Sequence, residues 1–303
     1  MTQVQTVTGP VAKQSVGRCL PHEHLICDFS PVTGNSDHLL NDSALAIDEL
    51  KLFTQAGGVT IVEVTPPDLG RDPEALRTIA EQSGVQIVMA TGWYRAAFYP
   101  QWVDMTSTEE LAERMVVELT EGVGGTNIRA GLIAEIGVDR DFVSGVEERV
   151  LRACARAHLR TGASISTHSS MFPVGIAQLD ILADEKVPAD RIVIGHADTY
   201  LDTEYHLALL KRGVFVQFDT AGRNHMNPDD RRARALVQLV QRGFLDQLLL
   251  SSDRCFRSDL TAFGGLGYAH VLTDFRDRLH ALGLTDAEFD HITIDNPARM
   301  LAR

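Results

Sequence analysis

The sequence predicts a (β/α)8 barrel. Three observations carry this reading: eight short, β-branched apolar runs recur along the chain, amphipathic stretches alternate with them, and no Pro/Ser-rich linker cuts the series. With 303 residues, 44% hydrophobic and 23% charged, the chain can bury one large core, and a single domain over residues 1–303 is expected. A doubly wound open sheet is the structural alternative, because it uses the same βα unit.

The first strand ends near GRCLPHEHL (17–25), and residues 41–56 then read as a helix stopped by Gly57 and Gly58. VTIVEV (59–64) is the second strand, followed by a helix over 72–83 with Pro73 in its first turn. VQIVMATG (85–92) is the third, with a helix over 107–120, and RAGLIAEIG (129–137) the fourth, with a helix over 145–161. ASISTH (163–168) and RIVIGH (191–196) are the fifth and sixth, with helices over 173–185 and 202–212. GVFVQFD (213–219) with a helix over 229–242, then DQLLLSSD (246–253), complete the eight. From Tyr268 onward the pattern is one or two helices, with Asn296-Pro297 inside a closing element.

Composition narrows the function. Lys and Arg number 28 against 41 Asp and Glu, a net charge of −13, which repels polyanions, so a small-molecule substrate is expected and a nucleic-acid partner is not. The first 20 residues lack a basic start followed by an apolar run, and no 18-residue apolar window occurs, so no membrane partner and a cytoplasmic location are expected. Cys19, Cys27, Cys154 and Cys255 have no CxxC spacing and read as reduced, buried thiols.

The chemistry lies where ionisable residues meet strand ends. His22 and His24 end the first strand, Glu135 stands near the end of the fourth, and His168, His196 and Asp253 end the fifth, sixth and eighth. In a parallel barrel these ends share one face, the face that carries active sites. Residues i and i+2 of an extended strand point the same way, so both rings of His22 and His24 can reach one ion. Four imidazoles and two carboxylates exceed the needs of one tetrahedral ion. They fit two divalent metals bridged by a carboxylate and a water, zinc first, with manganese, cobalt or iron also accepted by these ligands. The other histidines take surface or packing roles, with His225 a candidate for substrate contact. No Walker loop, GxSxG elbow or HExxH occurs, and GGLG (264–267) lacks a preceding strand.

The segments LPHEHL (20–25), STHSS (166–170), IGHADT (194–199) and LSSDR (250–254), down to GYAHVL and DNPARML near the end, resemble the phosphotriesterase-like branch of the amidohydrolase superfamily. The resemblance covers nearly the whole chain. It implies that His22, His24 and Asp253 hold the more buried metal and that His168 and His196 hold the more exposed one. Many members bridge the metals with a carboxylated lysine. Here Glu135, in LIAEIGVD, stands at that position and none of the four Lys lies on a strand end, as in the phosphotriesterase homology subset with a glutamate bridge. The shorter glutamate implies a closer fourth strand and assembly without CO2. Homodimers are also common among the relatives.

The resemblance implies hydrolysis in which a bridging hydroxide attacks a carbonyl carbon or phosphorus and Asp253 accepts the hydroxide proton and passes it to the leaving group. Tyr94, in TGWYR (91–95), matches a tyrosine that points at the metal pair in lactone-cleaving relatives. Arg223, Arg254 and Arg257 follow the seventh and eighth strands, where a guanidinium can hold a carboxylate or phosphate. Trp93, Phe98, Tyr99 and Trp102 form an aromatic loop placed to line a substrate cleft. The leading expectation is a lactone, carboxylic ester or amide hydrolase. A phosphoester hydrolase, a TatD-like nuclease, which builds a similar ligand set, and a non-catalytic binding barrel are the alternatives.

Overall fold

The computed structural model describes residues 2–169 and 171–303; Ser170, the last residue of STHSS, lies outside them. Each apolar run forms a strand, in the order β1 Arg18–Glu23, β2 Gly58–Glu63, β3 Gln86–Thr91, β4 Leu132–Gly137, β5 Ile165–His168, β6 Ile192–Ile194, β7 Phe215–Phe218 and β8 Leu248–Leu250. They lie side by side in chain order as one parallel sheet. The sheet closes on itself through side chain and loop rather than a regular ladder. His22 N donates to Ser251 Oγ (3.1 Å), and His22 O accepts from Asp253 N (3.3 Å) while His24 N donates to Arg254 O (3.2 Å). The result is the (β/α)8 barrel that the alternation predicts.

Side chains alternate across the sheet and both faces are apolar, as in a parallel sheet covered on both sides. Val193 of β6 and Leu249 of β8 point into the barrel with Cys19, Val62, Val88 and Leu132, whereas Ile192, Ile194, Leu248 and Leu250 pack outward under the helices. Those helices are α1 Ser43–Gln55, α2 Pro73–Ser83, α3 Thr108–Thr120, α4 Gly145–Thr161, α5 Gly175–Asp184, α6 Thr203–Leu210, α7 Asp229–Gln241 and α8 Asp274–Ala281. Asp42, Asp72 and Asp202 cap α1, α2 and α6 by accepting from first-turn N–H groups. Left-handed Gly84 and Gly162 close α2 and α4. Lys186 performs the same closure after α5 at φ 69, with its N–H on Ala183 O and that of Val187 on Leu182 O.

Two features were not predicted. An N-terminal hairpin, Gln3–Thr6 with Gly9–Ala12, seals the barrel floor through Val4, beside Met300 of the expected closing element, the helix Asn296–Leu301. A small antiparallel pair, Cys27–Asp28 with Leu39–Leu40, pins the loop after β1. The sixth and eighth strands are also shorter than expected. His196 (φ 53) and Asp253 (φ 51) adopt left-handed backbones that an extended ladder does not accept, so both lie past the paired segments. Among the described residues no helix is long and apolar enough to cross a membrane, and all four cysteines are free and buried.

Candidate metal centre

Six side chains converge at the C-terminal mouth of the barrel. Glu135 is at their centre, 2% exposed: its Oε1 lies 2.6 Å from His168 Nδ1, 3.1 Å from His196 Nε2 and 3.2 Å from His22 Nε2. Its Oε2 lies 3.6 Å from His24 Nε2. Asp253 Oδ1 reaches His24 Nε2 at 3.4 Å and His22 Nε2 at 3.7 Å. His22, His24 and Glu135 form one ligand-spaced triad and Glu135, His168 and His196 another, so one carboxylate is shared between two groups. The Ala134–Glu135 peptide is cis. His196 follows Gly195, where a Cβ would come within 2.2 Å of Thr167 O; only glycine lets the chain pass this close to β5.

Second partners set the ring nitrogens that face the centre. His196 Nδ1 lies 2.7 Å from Asp219 Oδ1, and a carboxylate there fixes a proton on Nδ1 and makes Nε2 the nitrogen that faces Glu135. His24 Nδ1 meets Thr65 Oγ1 at 2.8 Å, and Thr65 in turn donates to Glu63 Oε1. Asp253 is gripped by Arg223, whose Nε lies 3.1 Å from its carbonyl oxygen and 3.3 Å from its Oδ2.

Burial works against charge at Glu135, His196 and His22, yet there the local field wins. The carboxyl of Glu135 is held well below the usual range because His168 and His22 outweigh its desolvation. Burial likewise opposes a proton on His196, but Asp219 overcomes it and drives the pKa well above its ordinary value. His22 moves upward for a similar reason, with Asp219 and Glu135 against burial. His168, dominated by burial and the neighbouring His196, falls to about 4. Glu135 and Asp219 thus make this spot attractive to positive charge, and His22 Nδ1, His22 Nε2 and Glu135 Oε2 are buried without hydrogen-bond partners. Orphaned buried polar atoms are costly unless a partner fills them. An all-imidazole and carboxylate donor set of this kind fits divalent cations.

All six predicted ligands therefore come together. Tyr94 joins them, with its hydroxyl 3.5 Å from His168 Nε2. A cavity of about 290 Å3 opens above, lined by Tyr94, Arg223, the cluster residues other than His22, and the phenyl rings of Phe29, Phe98 and Phe256. Three predicted substrate contacts do not reach it. Trp93 points opposite to Tyr94, as neighbours in an extended segment do, and packs on Trp102 beneath α3. Arg254 is fully buried and donates to Ala221 O and Gly267 O. Arg257 stacks over the Phe263 ring away from the cavity. Of the aromatic loop only Phe98 lines the cavity; Tyr99 does not. His225 does line it, as expected, and so do His38, expected in a surface or packing role, and Arg95, for which the sequence carries no such expectation. Asp219 was also missed, although it ends the seventh run by the rule that found the others.

Comparison with known proteins gives one answer. Residues 2–301 match the Phosphotriesterase family. The chain is 37% identical over 283 residues to the phosphotriesterase homology protein of Escherichia coli, covering 93% of this chain and 97% of that one. It is 30% identical to the N-acetyltaurine hydrolase of Salmo salar across 99% of this chain and 97% of that protein. The crystal structure of the E. coli protein, complexed with phosphate in its active site, superposes with a TM-score of 0.93 at 36% identity, over 95% of this chain and 99% of that one. A lactonase from Listeria monocytogenes gives 0.93 at 29% identity, over 99% and 98%. With the barrel, the six-ligand cluster and these matches together, the chain belongs to the phosphotriesterase family of metal-dependent hydrolases.

Proposed function

We propose that this chain hydrolyses a carbonyl compound, a carboxylic amide, ester or lactone, with two divalent ions, zinc first among those its ligands accept. The observation that carries the reading is the placement of Tyr94: a phenol donor 3.5 Å from a ligand imidazole, in a cavity walled by aromatic rings, is a ready partner for a carbonyl oxygen. His22, His24 and Asp253 would hold one ion, His168 and His196 the other, and Glu135 both. Ions held there lower the pKa of a shared water toward neutrality and polarise the bond to be cut.

The chain's own groups do the rest. Tyr94 stays protonated, because burial and then the charge of Glu135 push its pKa far upward, so its hydroxyl donates throughout the neutral range. Asp253 stays ionised: Arg223 and a hydrogen bond from His24 overcome its burial and hold the carboxyl well below the usual range. Its Oδ atoms can therefore accept a proton from the attacking water and return it to the leaving nitrogen or oxygen. Arg223 holds Asp253 at both carbonyl and carboxylate, which fixes that acceptor in place. The relatives include an N-acetyltaurine hydrolase and a lactonase, both acting on carbonyl carbon. Phosphoester hydrolysis is the second reading, favoured by the phosphate in the active site of the E. coli relative.

The test is metal analysis with a turnover screen of lactones, N-acyl amino acids, aryl esters and phosphotriesters, on the natural protein and on Glu135→Ala. About two ions per chain and carbonyl turnover that falls by roughly 1,000-fold or more in the variant are expected. Turnover of phosphotriesters alone would promote the second reading. Protein without metal affinity or turnover would overturn both.

A further inference from the structure

We infer that Arg95 makes this site selective for carbonyl substrates carrying a second, anionic group, a carboxylate or sulfonate, on the leaving side of the scissile bond. The inference rests on the carbonyl-hydrolase reading and names its substrate class.

The chain carries a net charge of −13, yet in the cavity two arginines balance two acids. Among the described residues its acids are the floor carboxylates Glu135 and Asp253, whereas Arg95, Arg223, His38 and His225 all line it. Two of these cationic or basic groups are engaged. Arg223 is 5% exposed and is held by Asp253, Cys255 and Asp259. His38 is stacked on Phe256 and bonded to Thr33 and Asn35. Arg95 is freer: its side chain is 33% exposed, its one ion-pair contact is Nη1 to Asp139 Oδ1 at 3.3 Å, and its Nε is buried without a hydrogen-bond partner.

Its position is also fixed. The guanidinium lies 4.9 Å from the Tyr94 ring centroid and 5.2 Å from that of Phe98, a cation–π arrangement that seats it against the aromatic wall. The far end of the same Tyr94 ring meets His168. One aromatic ring thus separates the place for the carbonyl oxygen from a planar fork suited to carboxylate or sulfonate. An N-acyl amino acid or N-acyl aminosulfonate spans these two points. The water oxygen bonds to the acyl carbon, the C–N bond breaks, and the nitrogen departs with the second water proton as an amine that still bears the anion. Neutral lactones make no use of Arg95.

The experiment compares metal-loaded natural protein with Arg95→Met and Arg95→Lys on N-acetyltaurine and N-acetylglycine, and on uncharged N-acetylglycinamide and an aryl acetate. In Arg95→Met, kcat/KM for the anions is expected to fall about 10- to 100-fold, chiefly through KM, the size of a lost charged hydrogen bond. The uncharged substrates should change by less than about 2-fold, and Arg95→Lys should recover part of the loss. Equal losses on both sets, or no preference for anions in the natural protein, would overturn the inference. Thermal-shift binding of the same compounds keeps the two readings apart. An Arg95-dependent preference for the anions without turnover leaves Arg95 standing and sinks the carbonyl-hydrolase reading; turnover without that preference does the reverse.

Discussion

Glu63 shows how one buried carboxylate supports the site and taxes the fold. It is fully buried, accepts from Thr65 and Leu25 N, and leaves Oε2 unpartnered. Burial is the main cause that lifts its pKa from 4.5 to about 7. The folded protein therefore binds the extra proton between those values, so this group's contribution falls by about 3 kcal/mol as pH rises from 4.5 to 7 and is flat above. Glu63→Gln should abolish that slope, and its stability relative to the natural protein should rise across the window. Denaturant unfolding of both proteins in chelator, at a series of pH values, reads the difference; parallel curves would count against it. At this scale the ligands were legible, because His, Glu and Asp are rare endings for apolar strands and position told the rest. Asp219 was not, since a carboxylate that orients an imidazole has the same sequence appearance as one that merely ends a strand. Arginines were hardest. Arg254 and Arg95 both follow strands, and only the path of the side chain separates the buried strut from the group that faces the cavity.

Elements were read well where periodicity is strong and poorly where it is short. The helices α2, α3 and α4 match expectation within a residue because Asp72, Ser107 and Ser144 mark their starts and Gly84 and Gly162 end two of them. The hairpin at residues 3–12 has four-residue strands, one with Pro10 and half exposed, which is too little alternation to detect. The ends of β6 and β8 were over-extended because sequence does not reveal a left-handed His196 or Asp253. Both residues are proposed ligands, and strain of this kind persists where surroundings impose it for function. Lys186, exposed and equally left-handed at the end of α5, has no such reason. Lys186→Gly is expected to raise stability by about 0.5–1 kcal/mol without changing turnover, measured as a higher midpoint of thermal unfolding. A lower midpoint would show that the lysine side chain contributes more than its backbone costs.

For the whole molecule, proposed ligands drawn from five strands would make metal binding a property of the folded barrel. Chelation should therefore lower the thermal midpoint as well as remove turnover, since an ion present at 1,000 times its dissociation constant adds about 4 kcal/mol. Zinc should restore both without added bicarbonate, because Glu135 needs no carbon dioxide to become a carboxylate. Restoration that required bicarbonate would contradict the glutamate bridge. The seam between β1 and β8 carries a further consequence. Glu23 accepts from Ser252 N and Oγ and from Arg254 N, partners up to 231 residues away, and His22, His24 and Asp253 flank that stitch. A nascent chain leaving the ribosome consequently cannot close this stitch until residue 254 has emerged. The order of synthesis thus leaves the proposed ligand set of the more buried ion, which includes Asp253, incomplete until the last strand arrives.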